Sequence, residues 1–389
     1  MRSHSYLNSS KQIIESYDGR LPFAIWLKSF FKTNKKFGGR DRKEIGNLCF
    51  GYYRIGKALQ QVTFEDRILA ALFLSTNLPS VCLKEQKPEW AEKINCSLDQ
   101  KIGILPFSMA IMDIFPWNDA LSDQINKNEF NRSFLNLPDL FLRLRPGSRA
   151  VVFDLLNKQD LGYVVESENC IRLANGSKLN EELNIDKEFV VQDLNSQQVL
   201  KGLDTIFDAS EKFSVWDCCA ASGGKSILAC DQFPNIHLSV SDIRKSILIN
   251  LRNRFKRAGI SDYRMFVANI SDPGFKIAEK FDLIICDVPC SGSGTWARTP
   301  EQLTFFTKEK ITDYARLQKS IFSNACRHLK SGGAILYITC SVFKEENEDV
   351  VAYILENLPV KLLEMKYYKG YDKKADTLFT ALFKVSEPL

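Results

Sequence analysis

The chain has only three histidines, His4, His237 and His328, scattered along its length, and none of its eleven cysteines forms a Cys-x-x-Cys pair. Tetrahedral zinc ligation therefore has no support in the sequence, and no metal is expected. No apolar run approaches the roughly 20 residues of a membrane helix. The best, Leu69 to Leu74, is far shorter, so no membrane partner is expected. The N-terminus, Met1 to Ser10, is polar and carries no secretory leader. An odd number of cysteines in that context points to reduced thiols and a cytoplasmic protein. No Gly-x-Gly-x-x-Gly occurs, which argues against a dinucleotide site, and there is no internal repeat or low-complexity segment.

What is present is ordinary globular composition: 389 residues, 45% hydrophobic and 25% charged, enough for two or three domains. A monomer is expected. Net charge is only +5, but residues 1–60 hold 12 Lys or Arg against 4 Asp or Glu. Lys28, Lys32, Lys35, Lys36, Arg40, Arg42, Lys43, Arg54 and Lys57 lie among Trp26, Phe30, Phe31, Phe37, Phe50, Tyr52 and Tyr53. Such a stretch reads either as a cationic face for a polyanion or as a solvated helix face over an aromatic core.

From Ser5 to about Asn131 apolar residues recur at three- and four-residue spacing, which predicts a helical bundle, with an irregular segment from Pro88 to Phe107. Residues 134–188 change period and predict a small α/β module. Its strand Leu142 to Arg145 places Arg143 and Arg145 on one face, suited to a nucleic-acid backbone or to an exposed sheet edge. Residues 189–389 then alternate strand and helix. Strands are predicted at Val215–Asp217, His237–Ser241, Met265–Ala268, Leu283–Cys286 and Ala334–Thr339, with a further strand at Leu378–Val385 as the antiparallel end. That alternation means a parallel sheet covered on both faces.

The most informative stretch is Phe213 to Ser226, an apolar strand running into Asp217, Cys218, Cys219, Ala220, Ala221, Ser222, Gly223, Gly224 and Lys225. A glycine loop between strand and helix presents free backbone N–H groups where open α/β folds bind ligands. Gly224, Lys225 and Ser226 end like a phosphate loop, and Leu283 to Asp287 could serve as its magnesium strand. The position that needs the leading glycine, however, holds Cys219. Asp242, closing the second strand, is placed to accept hydrogen bonds from a ribose or to cap the next helix. Asn269 could read an adenine edge or serve a turn.

The fourth strand leads into Asp287, Val288, Pro289 and Cys290, and the fifth ends in Thr339, Cys340 and Ser341. Two thiols and a carboxylate thus converge on one edge of the sheet. Cys218, Cys230, Cys286 and Cys326 read instead as small core residues. With a bound methyl donor, such a set suits methylation of a pyrimidine carbon, which becomes nucleophilic only after a thiolate adds to its neighbour. The carboxylate supports that addition at ring nitrogen 3.

Asp217 to Ser226, Asp287 to Gly294, and Thr339 to Ser341 with Glu346 and Asn347 resemble the signature motifs of the RsmB/Sun (Fmu) family of RNA cytosine-5 methyltransferases. Gln192, Asp193, Ser196, Gln197, Arg298, Pro300 and Glu301 extend the likeness. The resemblance implies an α/β, Rossmann-like S-adenosylmethionine-dependent methyltransferase domain at 189–389. It also implies an RNA-binding α/β module at 134–188 and an all-α domain similar to the antitermination factor NusB at 1–133. Residues Cys219, Ala220, Ala221, Ser222, Gly223, Gly224, Lys225, Asp242, Asn269 and Asp287 would line the S-adenosylmethionine site. Cys340 would be the nucleophile, Asp287 its acid partner and Cys290 the thiol that releases product, with Lys225 among the catalytic residues. The partner implied is RNA, ribosomal first and transfer RNA second; a non-catalytic RNA-binding or assembly protein on the same scaffold is the rival. Ser222 stands for the usual Pro, Asn269 for Asp, Val288 for Ala, and Leu194 and Asn195 for Glu and Ala.

Overall fold

The computed structural model describes residues 3–179 and 184–385. It divides into two compact units: Met1–Leu121, Ile125–Leu137 and Thr295–Lys308 make one, and Ser122–Gln124, Pro138–Gly294 and Glu309–Leu389 the other.

The first unit is helical: α1 (Ser3–Ser16), α2 (Phe23–Thr33), α3 (Gly39–Arg54), α4 (Phe64–Ser75), α5 (Val81–Gln86), α6 (Pro88–Glu92), α7 (Leu98–Ile104) and α8 (Lys127–Ser133). α3 buries Ile45, Leu48, Cys49 and Tyr53, one stripe at helical spacing, whereas α4 is buried all round from Arg67 to Leu74 and runs through the core. The segment expected to be irregular holds α6 and α7. The latter starts with a reciprocal cap between Ser97 and Gln100. Residues Thr295–Lys308 pack here too: Trp296 meets Phe115 and Trp117 edge-on or tilted. Buried Glu301 accepts the Phe23 N–H at 3.0 Å, giving the uncapped start of α2 a carboxylate.

The basic stretch resolves into two parts. Lys28, Lys32, Lys35, Lys36, Arg40, Arg42, Lys43 and Lys57 are exposed, while Phe31, Phe37 and Tyr53 are buried. Arg54 does not belong to that face. It is buried, and its guanidinium donates to the carbonyls of Phe134 and Ala297 at 3.0 and 2.9 Å.

The second unit contains two sheets. The smaller is antiparallel, built from β1 (Leu140–Leu144), β2 (Tyr163–Ser167), β3 (Cys170–Leu173) and β4 (Phe189–Val191) in the order β2-β3-β1-β4, with α9 (Arg149–Lys158) packed on it. Here the sequence reading of Arg143 and Arg145 fails. β1 is an inner strand, and the buried Arg143 and the half-buried Arg145 just beyond it both pair with Asp231, at 2.5 and 2.7 Å, rather than turning to a nucleic acid.

The larger sheet has β5 (Ser214–Asp217), β6 (His237–Asp242), β7 (Tyr263–Val267), β8 (Phe281–Asp287), β9 (Leu329–Thr339), β10 (Val360–Tyr368) and β11 (Leu378–Val385), in the order β10-β11-β9-β8-β5-β6-β7. β5 to β9 are parallel, and β11 runs antiparallel between β9 and β10. α10 (Gly224–Gln232), α11 (Lys245–Ala258), α12 (Glu309–Cys326) and α13 (Glu348–Asn357) complete the fold. Leu283 to Cys286 and Ala334 to Thr339 are buried without interruption, as strands covered on both faces must be. Each large aliphatic side chain so placed contributes about 1.5–3 kcal/mol. Strand order reverses between β5 and β8, which opens the crevice at their carboxyl ends where this architecture binds ligands.

Candidate active site

β5 delivers Asp217 to that crevice, and the chain turns through Cys218 to Gly223 into α10. Gly223 has φ +83°, and a Cβ there would lie 2.8 Å from the Phe255 ring, so the turn requires glycine. Ala221 is also left-handed, at φ +46°, held by its N–H donating to Asp242 Oδ2 at 3.0 Å. Arg254 donates to the Ser222 carbonyl and hydroxyl at 3.1 and 3.0 Å, while its other nitrogens grip Asp186 at 2.8 and 2.9 Å. The residue that replaces the usual proline is therefore fixed by hydrogen bonds.

Asp217 is 1% exposed. Ser226 donates to its Oδ2 at 2.6 Å, and Oδ1 has no partner among the described residues. Burial pushes its carboxyl up to about 7, opposed by the Ser226 hydrogen bond and aided by the charge of Asp287. Lys225, on the first turn of α10, donates to Asp287 Oδ2 at 2.6 Å. Burial acts to lower its pKa, but the attraction of Asp287 prevails and the ammonium is held above its usual range. The Asp287 side chain keeps 30% exposure, so one side of the carboxylate faces the crevice.

Asp242 closes β6 with both oxygens occupied, Oδ1 by the Arg244 N–H and Nε, Oδ2 by Ala221 and Arg244 Nη2. The Arg244 side chain is 61% exposed beside that carboxylate. Asn269 follows β7, exposed, and accepts the Ser271 hydroxyl at 2.7 Å. Cys219 is half-buried with its thiol hydrogen-bonded to Cys218, which together with burial drives its pKa well up.

The two thiols predicted to converge do so. Cys290, beyond β8, and Cys340, at the end of β9, are half-buried with their Sγ atoms 3.3 Å apart. The Cys290 thiol is pushed well above its ordinary range, first by its hydrogen bond to Cys340, then by burial and by the charges of Cys340 and Glu346. Gly294 ties the loops: its N–H donates to the Cys340 carbonyl at 2.8 Å, and a Cβ would lie 2.2 Å from the Thr377 carbonyl. Cys218, Cys286 and Cys326 are buried and Cys230 packs against the core. Among the described residues no cluster of three or more His, Cys, Asp or Glu could hold a metal, and no helix is long and apolar enough to cross a membrane.

Other residues here escaped the sequence reading. Tyr314 and Gln318, one turn apart on α12, border the thiols; Tyr314 is raised by burial and then by the charges of Cys290, Glu346 and Cys340. A buried glutamine in the stripe Ile311, Ala315, Phe322 was the available signal. The motif residues Gln192 and Asn195 have structural work: Gln192 accepts from Arg143 Nε at 2.8 Å, and Asn195 donates to the carbonyls of Tyr368 and Asp376 at 3.1 and 2.7 Å.

The parallel sheet with an inserted antiparallel strand and the glycine loop at its switch point define a Rossmann-like fold of the kind that S-adenosylmethionine-dependent methyltransferases use. Residues 205–381 match the family described as 16S rRNA methyltransferase RsmB/F. Over this segment, less than half of the chain, the sequence is similar to that family. Ribosomal RNA small subunit methyltransferase B of Sodalis glossinidius (strain morsitans) is 28% identical over 232 residues, 58% of this chain and 53% of that protein. Its counterpart in Yersinia pestis bv. Antiqua (strain Angola) is 26% identical over 227 residues, 57% and 52%. The chain spans about half the length of these relatives. Among solved structures, PH0851 superposes with a TM-score of 0.71 at 18% identity, covering 98% of this chain and 99% of that one. NSun6 from Pyrococcus horikoshii, crystallised with SFG, gives 0.61 at 16% identity over 70% and 97%. Both share the fold.

Proposed function

We propose that this protein methylates carbon 5 of a cytosine in RNA, ribosomal RNA of the small subunit by the names of its relatives, with S-adenosylmethionine as methyl donor. The observation that carries the reading is the pair of thiols 3.3 Å apart beside the Lys225–Asp287 ion pair, at the same sheet edge as the cofactor loop. The cofactor fits the chain's own groups. The loop from Cys219 to Gly224 leads from β5 into α10 at the switch point, and Asp242 ends β6 where a ribose would be held. Asn269 would meet the adenine edge.

S-adenosylmethionine, when bound, supplies an electrophilic methyl group. Cys340, as thiolate, forms a bond from Sγ to carbon 6 of the cytosine. Asp287, oriented by Lys225, shares a proton with nitrogen 3, which draws off the electron density that addition pushes into the ring. Carbon 5 is then nucleophilic and would form the new carbon–carbon bond to the methyl group as the methyl–sulfur bond breaks, its electron pair staying on sulfur to leave S-adenosylhomocysteine. Cys290, after losing its own proton to solvent, acts as the thiolate base that takes the remaining hydrogen from carbon 5 as a proton; the carbon 5–carbon 6 double bond re-forms, and the Cys340 sulfur leaves carbon 6 with its electron pair. The exposed basic residues of the helical unit supply phosphate contacts.

Cys290→Ala lets addition and methyl transfer proceed but stalls elimination, so an RNA–protein adduct that survives denaturing electrophoresis accumulates. Cys340→Ala and the double variant form none. The reverse pattern would exchange the two thiols. Bisulfite sequencing of total RNA with and without the gene identifies the cytosine and separates ribosomal from transfer RNA.

A further inference from the structure

Cys290 and Cys340 lie 50 residues apart on different elements, so their 3.3 Å separation has to be imposed from outside the pair. The far end of the Cys290 loop is tied through Gly294 to the Cys340 carbonyl. The near end is held by side chains. Glu346, fully buried, takes the Ser291 N–H on Oε2 at 2.8 Å and the Ser341 hydroxyl on Oε1 at 2.8 Å. The residues next to both thiols are thereby bonded to one carboxylate. Gln318 completes the bridge from α12: its Nε2 donates to Glu346 Oε2 at 2.9 Å and to the Pro289 carbonyl at 3.0 Å. Tyr337 Oη lies 2.7 Å from the Glu346 carbonyl and 3.1 Å from Gln318 Oε1.

We propose that Glu346, with Gln318, is the positioning residue that sets the distance between the two thiols, a role that deepens the proposed reaction and rests on it. The carboxylate takes the Ser291 N–H and the Gln318 NH2, both obligate donors, on one oxygen and the Ser341 hydroxyl on the other, so it joins the Cys290 loop, α12 and the Cys340 strand end. A glutamine there would turn an NH2 group toward at least one of them. An uncompensated carboxylate would be costly at this depth, so its three hydrogen bonds make the loops and the charge mutually dependent. The charge has a second effect: it opposes a thiolate at Cys290, in keeping with the raised pKa of that thiol.

The test reads thiol geometry directly, without RNA. Diamide takes two hydrogens and two electrons from a pair of neighbouring thiols, leaving a disulfide and a hydrazine. Closure of the Cys290–Cys340 bond in the full chain is followed by peptide mass mapping. Normalised to the thiolate fraction that the alkylation midpoint gives, closure in Glu346→Gln is expected to slow about tenfold, because sulfurs that no longer meet lose their proximity advantage. In a Cys340→Ser background the same change lowers the pH midpoint of Cys290 alkylation by iodoacetamide. In RNA turnover it lowers kcat and leaves KM within about twofold, as expected for a group that acts through the thiols. Should Glu346→Gln fail to fold, Ser341→Ala removes one arm without touching the charge, and slower closure is expected there too. Wild-type normalised closure rates in either folded variant overturn the proposal. Slowed closure in an enzyme that methylates no cytosine supports the positioning role and defeats the proposed reaction instead.

Discussion

Arg254 shows how a single side chain can hold Ser222 at a loop position where the resemblance leads one to expect proline. Its guanidinium spans buried Asp186, itself left-handed at φ +70°, and the Ser222 hydroxyl and carbonyl. Arg254→Ala should weaken S-adenosylmethionine binding about fivefold, the equivalent of roughly 1 kcal/mol, and Arg254→Lys should not restore it, since an ammonium cannot bridge both partners. Isothermal titration checks both. Ser222→Pro should also weaken binding, because Ala221 would have to keep φ +46° immediately before it. Asp217 gives a pH signature. Its folded pKa, near 7, lies above its unfolded value near 4, so the native state binds more protons in between. Stability from this group is full below about pH 4 and is lost as pH rises toward 7, at no more than about 1.4 kcal/mol per unit. Asp217→Asn should flatten that part of the curve, measured by urea unfolding between pH 4.5 and 8.

At the scale of elements, the small sheet joins the catalytic sheet through charge. Arg143 from β1 and Arg145 just beyond it converge on Asp231 at the end of α10, and Arg145 also reaches the carbonyls of Asp186 and Ala258. Removing the shared anion leaves the buried Arg143 guanidinium without its carboxylate, so Asp231→Ala should cost about 3 kcal/mol in urea or thermal unfolding. Alternation of apolar and basic residues predicted the β1 strand correctly but could not show that its partner carboxylate lay on a distant helix. β10 was missed for a different reason. Its residues Lys361, Glu364 and Lys366 interrupt the apolar pattern, and those charges suit an exposed edge strand where they discourage further pairing.

For the whole molecule, charge is concentrated on the helical unit. Replacing Lys35, Lys36 and Arg40 with alanine should weaken RNA binding and lower the slope of log affinity against log salt by about 2, with cofactor affinity unchanged. Filter binding at several salt concentrations checks it. Arg54, although in the same run of sequence, should leave the slope untouched because its charge is spent on backbone carbonyls inside the unit.

Much of the fold was legible in order of chain. The strands β5, β6, β8 and β11, the helices between them and the two thiols at one sheet edge follow from periodicity and from where each apolar run stops, because a parallel sheet turns strand ends into neighbours. The sequence by itself therefore determined the class of fold and that the two thiols meet at one sheet edge. Only tertiary structure decided what each charge does there. Arg143 and Arg54 proved internal and Arg145 half-buried, Ser222 acquired an anchor from Arg254, and Glu346 became the bridge between two loops. Local pattern reports whether a side chain is apolar, but a buried charge is defined by its partner, and these partners lie on other segments of the chain.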